Sequence, residues 1–138
     1  NNLKIINENS YLNKAYNYGI PIQGLRNLID QLFGLEANLE QLNAIDFKKG
    51  CYVGQENTAR IKLKNKLSKR LLPVELIEGQ LNQDDLIYNG EFEVGKILID
   101  DEYPFALIKY LNEHFVNQIE FKTKNAKLKI RKPDWIKE

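Results

Sequence analysis

The hydrophobic period of this chain changes once, near Ala59, and that change constrains the fold more than any other feature. Before it, apolar residues recur at helical spacing. After it, they alternate. Leu12, Ala15 and Tyr16, with Tyr11, form the inward side of a short helix that Ser10 is placed to cap and Gly19-Ile20-Pro21 to stop. Leu25, Leu28, Ile29, Leu32 and Phe33 follow the i, i+3, i+4, i+7, i+8 rule, which predicts an amphipathic helix between Gly24 and a C-capping Gly34. Leu35, Leu39 and Leu42 extend the helical reading.

From Ile61 the pattern is β. Ile61, Leu63 and Leu67 alternate with Lys62, Lys64 and Lys66, and Leu71 to Ile77 continues it, with Pro73 pointing to an edge or a bulge. Leu86-Ile87-Tyr88, Asn89-Gly90 and Phe92 to Val94 read as a hairpin, because Asn-Gly tolerates positive φ. Ile97 and Ile99, Phe105 to Leu111, Ile119 to Thr123 and Ala126 to Ile130 supply further strands, with a turn at Lys124-Asn125. Short strands joined by tight turns predict a small antiparallel barrel or sandwich after a helical part, an α+β chain. At 138 residues the chain suits one domain or two small ones. The boundary is expected near 64, giving parts 1–64 and 65–138.

Composition excludes several classes. With 43% hydrophobic and 28% charged residues the chain is globular rather than disordered. No apolar run is long enough to span a membrane, so no membrane partner is expected. One Cys rules out an internal disulfide and a multi-Cys metal site, and fits a reducing compartment. The net charge of +1 hides structure: bases fill 60–70 and 121–132, while acids dominate 74–102, where Lys96 is the lone base. Complementary strands of one sheet are the simplest reading. The other is a basic face for RNA, an anionic ligand or a client protein. His114, the only histidine, has no Cys or His spaced to join it at a metal, and Trp135 is placed to pin the tail.

One segment carries chemistry. Lys48-Lys49-Gly50-Cys51-Tyr52-Val53-Gly54-Gln55-Glu56 sets the only Cys between two glycines and beside two lysines, where the two parts meet. The glycines permit close ligand approach, a neighbouring ammonium favours thiolate, and Gln55 and Glu56 offer an amide and a carboxylate. An inert buried thiol is the simpler reading of a lone Cys.

This segment resembles the signature of the YgfZ-type proteins, relatives of the glycine-cleavage T-protein (aminomethyltransferase). Gly19-Ile20-Pro21, Leu35-Glu36-Ala37-Asn38-Leu39, Phe47-Lys48-Lys49-Gly50, Ala59-Arg60, Val94-Gly95 and Phe105-Ala106-Leu107 extend the resemblance over most of the chain. Asn57-Thr58 departs from it, where an aliphatic residue is usual. The resemblance implies the C-terminal part of a folate-binding α/β domain followed by a small antiparallel β-barrel. It further implies a tetrahydrofolate-type ligand and a role in maintaining iron-sulfur client proteins, one of them a tRNA-modifying enzyme. The compartment would be the cytoplasm, or the mitochondrial matrix in a eukaryote. On the same basis Cys51 carries the function with Lys49 beside it, on a backbone of Gly50, Tyr52 and Gly54. Gln55, Glu56 and Arg60, with Glu36 and Asn38, fall on the folate side. The T-protein branch lacks the Cys motif, which leaves tetrahydrofolate-dependent aminomethyl transfer as the alternative activity, and a non-catalytic basic barrel as a third. A chain without methionine that starts Asn1-Asn2 is expected to be a fragment, preceded by the first part of the folate domain.

Overall fold

The structure is a computed structural model and describes residues 7–50, 58–60, 67–111, 113–116 and 120–136, without the side chains of 114 and 116. Helix α1 spans Glu8–Asn17. Its cap is Asn7 rather than Ser10: the extended Asn7 backbone lets its Oδ1 accept from Ser10 N at 2.8 Å, so Ser10 supplies an orphan amide of the first turn instead of satisfying one. Leu12, Ala15 and Tyr16 are buried as predicted, while Tyr11 faces solvent. At the far end the Trp135 indole Nε1 donates to Tyr18 O at 2.9 Å, which ties the C-terminal tail to a carbonyl the helix leaves free.

The second predicted helix does not form. A 3-10 turn at Leu25–Leu28 is followed by turns, and Asp30, Asn38 and Asn43 adopt positive φ. Asp and Asn tolerate that region, and each such residue interrupts the helical ladder. Leu28 and Leu32 still pack inward, but Leu25, Ile29 and Phe33 of the same stripe are more than half exposed.

Strands β1 (Arg70–Gly79), β2 (Leu86–Asn89), β3 (Phe92–Ile99), β4 (Phe105–Ile108), β5 (Phe121–Lys122) and β6 (Ala126–Ile130) close into an antiparallel barrel in the order β1-β4-β3-β2-β5-β6. The fold is α+β with a small barrel, the first of the two β architectures expected. A four-residue helix α2 (Glu113–Val116) precedes β5. The β2–β3 hairpin forms with Asn89 opposite Phe92, so its two-residue tip is Gly90-Glu91, one residue later than predicted, and Gly90 carries the positive φ. Pro73 lies on no edge. It is the last β1 residue paired with β4, and from Val74 onward β1 pairs with β6.

The barrel interior holds Leu72, Val74, Ile87, Val94, Ile97, Ile108, Phe121 and Leu128. Leu71, Leu98, Ile99, Phe105 and Leu107 form a second cluster with Tyr16 of α1, joined by Leu28 and Leu32. The runs Leu98-Ile99 and Phe105 to Ile108 are therefore apolar without alternation because both faces of these strands are covered.

Tyr16 is the hinge pin of that second cluster. Its ring meets Phe105 edge-on, with centroids 5.6 Å apart, and its buried hydroxyl donates to Val74 O. Burial raises its pKa; the Arg131 guanidinium over the ring opposes the shift and Glu75 adds to it. Tyr16→Phe strands a buried carbonyl and is expected to cost about 1–2 kcal/mol in denaturant unfolding. Because the folded pKa is raised, the tyrosine's contribution is complete below the ordinary value of about 10 and is lost as pH rises through the folded value. The variant should therefore lose less stability than the parent as pH rises above about 10. Equal alkaline losses would show that Tyr16 is not the titrating group.

Candidate functional site

Cys51, Tyr52, Gly54, Gln55 and Glu56 lie outside the described residues, as do Ile61 to Lys66 of the first basic stretch. The approach to the motif is described. Asp46 Oδ1 accepts from Lys48 N at 2.8 Å, turning the chain so that Lys48, Lys49 and Gly50 are exposed. On the far side residues 58–60 are helical and Arg60 is exposed.

Glu36 and Asn38 fasten the 34–38 segment to the start of β1. Leu71 N donates to Glu36 O at 2.8 Å, and the Glu36 carboxylate accepts from Phe33 N at 2.9 Å. Asn38 is buried, with its Nδ2 donating to Leu71 O at 2.7 Å and its Oδ1 accepting from Arg70 Nη1 at 2.9 Å. Both polar ends of this amide are engaged within the fold. Arg70 also lies over the Tyr110 ring, 5.6 Å from its centroid, and burial lowers its pKa.

Glu36 opens onto a groove between the 30–36 segment and the outer faces of β3 and β4. Two adjoining hollows of about 410 and 200 Å³ share Gln31, Lys69 and Leu107. Leu32, Phe33 and Leu107 make an apolar wall. Lys96 bonds Asp84 at 2.8 Å and reaches Gln31 Oε1 at 3.4 Å, and Lys109 bonds Glu93 at 2.7 Å. The wall suits a partly flat, apolar group, and Lys69, which forms no ion pair among the described residues, is the lining ammonium open to an anionic end, beside the carboxylates of Asp30, Glu36 and Glu93. It contains no nucleophilic thiol or hydroxyl among its described lining residues. Sequence reasoning had reached only Glu36 of this set. For the rest the sequence signals are charge alone: Lys69 belongs to the first basic stretch, and Lys96 is the single base in an acidic one.

The acidic and second basic stretches meet as complementary strands. Glu75 lies opposite Lys129, and Glu78 opposite Lys127, whose Nζ approaches Glu78 Oε2 to 2.6 Å. The Lys127 hydrogen bond and charge lower the Glu78 pKa, and Glu78 raises that of Lys127 in return. Both side chains are roughly half or more exposed, so the pair is a weak, salt-sensitive contact. Among the described residues no three His, Cys, Asp or Glu side chains converge on a metal-sized space, and no helix is long and apolar enough to cross a membrane.

No family model matches the chain. Over 97 residues, 69% of its length, it is 45% identical to a protein of Neurospora crassa named iron-sulfur cluster assembly factor IBA57 homolog, mitochondrial, and covers 22% of that protein. It is 41% identical over 69 residues to the human iron-sulfur cluster assembly factor IBA57, mitochondrial (49% of this chain, 19% of that one). With the mouse protein of the same name it shares 44% over 72 residues (51% and 20%). The chain thus spans only about a fifth of the length of these relatives.

Proposed function

We propose that this chain is part of an iron-sulfur cluster assembly factor working in mitochondria, on proteins that receive or carry such clusters. What carries the reading is its similarity to relatives from fungi, human and mouse that all bear that name. Depleting the protein in its own cells is expected to lower the activity of iron-sulfur enzymes while iron-free mitochondrial enzymes keep theirs. Equal activity of both sets after depletion would remove the proposal. Measuring modified tRNA nucleosides in the same cells tests whether a tRNA-modifying enzyme is among the clients.

Within this role Cys51 is assigned the reactive position, with Lys49 holding it toward thiolate. Alkylation of Cys51 in the native protein at pH 7 is expected to run several-fold faster than that of a free thiol, and to slow in Lys49→Gln. Reaction only after unfolding would make Cys51 an inert core residue. A tetrahydrofolate-type ligand is assigned to the side of the chain that holds Glu36, where the groove offers an apolar wall and lysines. Glu36→Gln and Lys69→Gln are the variants expected to weaken folate binding by the intact protein. Unchanged affinity in both would move the ligand elsewhere.

A further inference from the structure

Strand β1 outlasts one of its neighbours. It pairs with β4 only through Arg70–Pro73, because residues 101–103 bend away, whereas it pairs with β6 as far as Gly79. The alternation of peptide groups along a strand then decides what is left open. Pro73 O accepts from Arg131 N toward β6, and Val74 N donates to Pro104 O toward β4, each at 2.9 Å. Val74 O, on the same side, is taken by the Tyr16 hydroxyl. Two residues on, the peptide groups of Leu76 face the side that β4 has left.

That side is a cleft of about 580 Å³ floored by Leu76, Leu81 and Pro104 and bordered by Asp100, Asp101 and Glu102, with Arg131 the one base in its lining. Leu76 and its neighbour Ile77, where the register with β6 shifts, are each 44% exposed. Among the described residues neither Asp101 nor Glu102 forms an ion pair.

We propose that the overhanging edge of β1, Leu76–Glu78, docks an extended basic peptide segment of another protein by strand addition. An unpaired strand edge supplies main-chain hydrogen bonds for an added strand. The carboxylates select its charge: a second copy of this edge would bring its own Glu75 and Glu78 against Asp101 and Glu102 and be repelled. A Lys or Arg side chain fits the cleft in both halves, its aliphatic stem on Leu76, Leu81 and Pro104 and its head at the 100–102 carboxylates. This inference does not rest on the iron-sulfur reading.

The test is an amide NMR titration of the intact protein with a short alternating Lys-Val peptide. Comparison peptides are its Glu-Val counterpart and a Lys-Val peptide N-methylated along its backbone. Expected are shifts greatest at Leu76, Ile77 and Glu78, no binding of the Glu-Val peptide, and loss of binding on N-methylation. A D101K/E102K double variant with an unchanged circular dichroism spectrum should bind Lys-Val roughly tenfold more weakly. Shifts centred elsewhere, undiminished binding of the N-methylated peptide, or no binding of Lys-Val by the parent would each overturn the proposal.

Discussion

Gly79→Ala is expected to lower the unfolding free energy by about 3 kcal/mol or more, from two costs that add. Gly79 ends β1 with φ +90, a region that L side chains rarely adopt, and a Cβ there would lie 2.0 Å from Asn125 O and 2.9 Å from the Ala126 Cα. Both obstacles are backbone, so no rotamer relieves them. The β5–β6 turn would have to move off β1, stretching the 3.2 Å bond from Gln80 N to Asn125 O and the Gly79–Ala126 pairing that closes this side of the barrel. Gly90→Ala separates the two costs. Gly90 also has positive φ, but nothing stands within 4 Å of its would-be Cβ, so only the conformational cost of about 1–2 kcal/mol applies. Denaturant midpoints of the two variants measure the difference. If they fall equally, the close approach at Asn125 is not what demands glycine at 79.

Asn38→Ala comes next, at about 3 kcal/mol. It removes the donor to Leu71 O and the acceptor for Arg70 Nη1, both in a position only 1% exposed, and it places alanine at φ +61. A buried carbonyl and a half-buried guanidinium then lose partners that water replaces poorly. Asn38→Gly relieves the backbone but restores neither bond, so it should recover about 1 kcal/mol of the loss. The comparison also separates two roles for this residue. If Asn38 serves a folate ligand, Asn38→Ala should weaken ligand binding at unchanged stability; the geometry predicts the reverse order, with stability failing first.

The candidate site was legible in proportion to how local its chemistry is. The Cys51 segment stands out in the sequence because two glycines, two lysines and a lone thiol are packed into the nine residues from Lys48 to Glu56. Glu36 and Asn38 drew notice through resemblance alone, and their neighbours in space, Lys69 and Arg70, are more than thirty positions away. The groove is the same case: Gln31, Lys69, Lys96 and Lys109 come together only because the 30–36 segment lies across β3 and β4. No spacing rule links them. The open edge of β1 is less legible still, because it exists only where β4 ends before β1 does.

The failed helix at Leu25–Phe33 shows the limit from the other direction. Its apolar spacing is correct for a helix, and Leu28 and Leu32 do turn inward. What the pattern does not weigh is the left-handed backbone at Asp30, or the reach of the Glu36 carboxylate to Phe33 N, which stabilises a turn where another helical amide bond was expected.

Some elements are already specified by signals that are local and strong along the chain. These are α1 with its buried face, the Gly90 hairpin, the existence of short strands from Leu71 onward, and the complementarity of the acidic and second basic stretches. Tertiary structure alone decided the order β1-β4-β3-β2-β5-β6, the transfer of β1 from β4 to β6 after Pro73, and the placing of Tyr16 against Val74. The physical reason is that alternation states which face of a strand is buried but not which strand lies beside it. That choice belongs to contacts between residues far apart in the chain, which form only as the barrel closes.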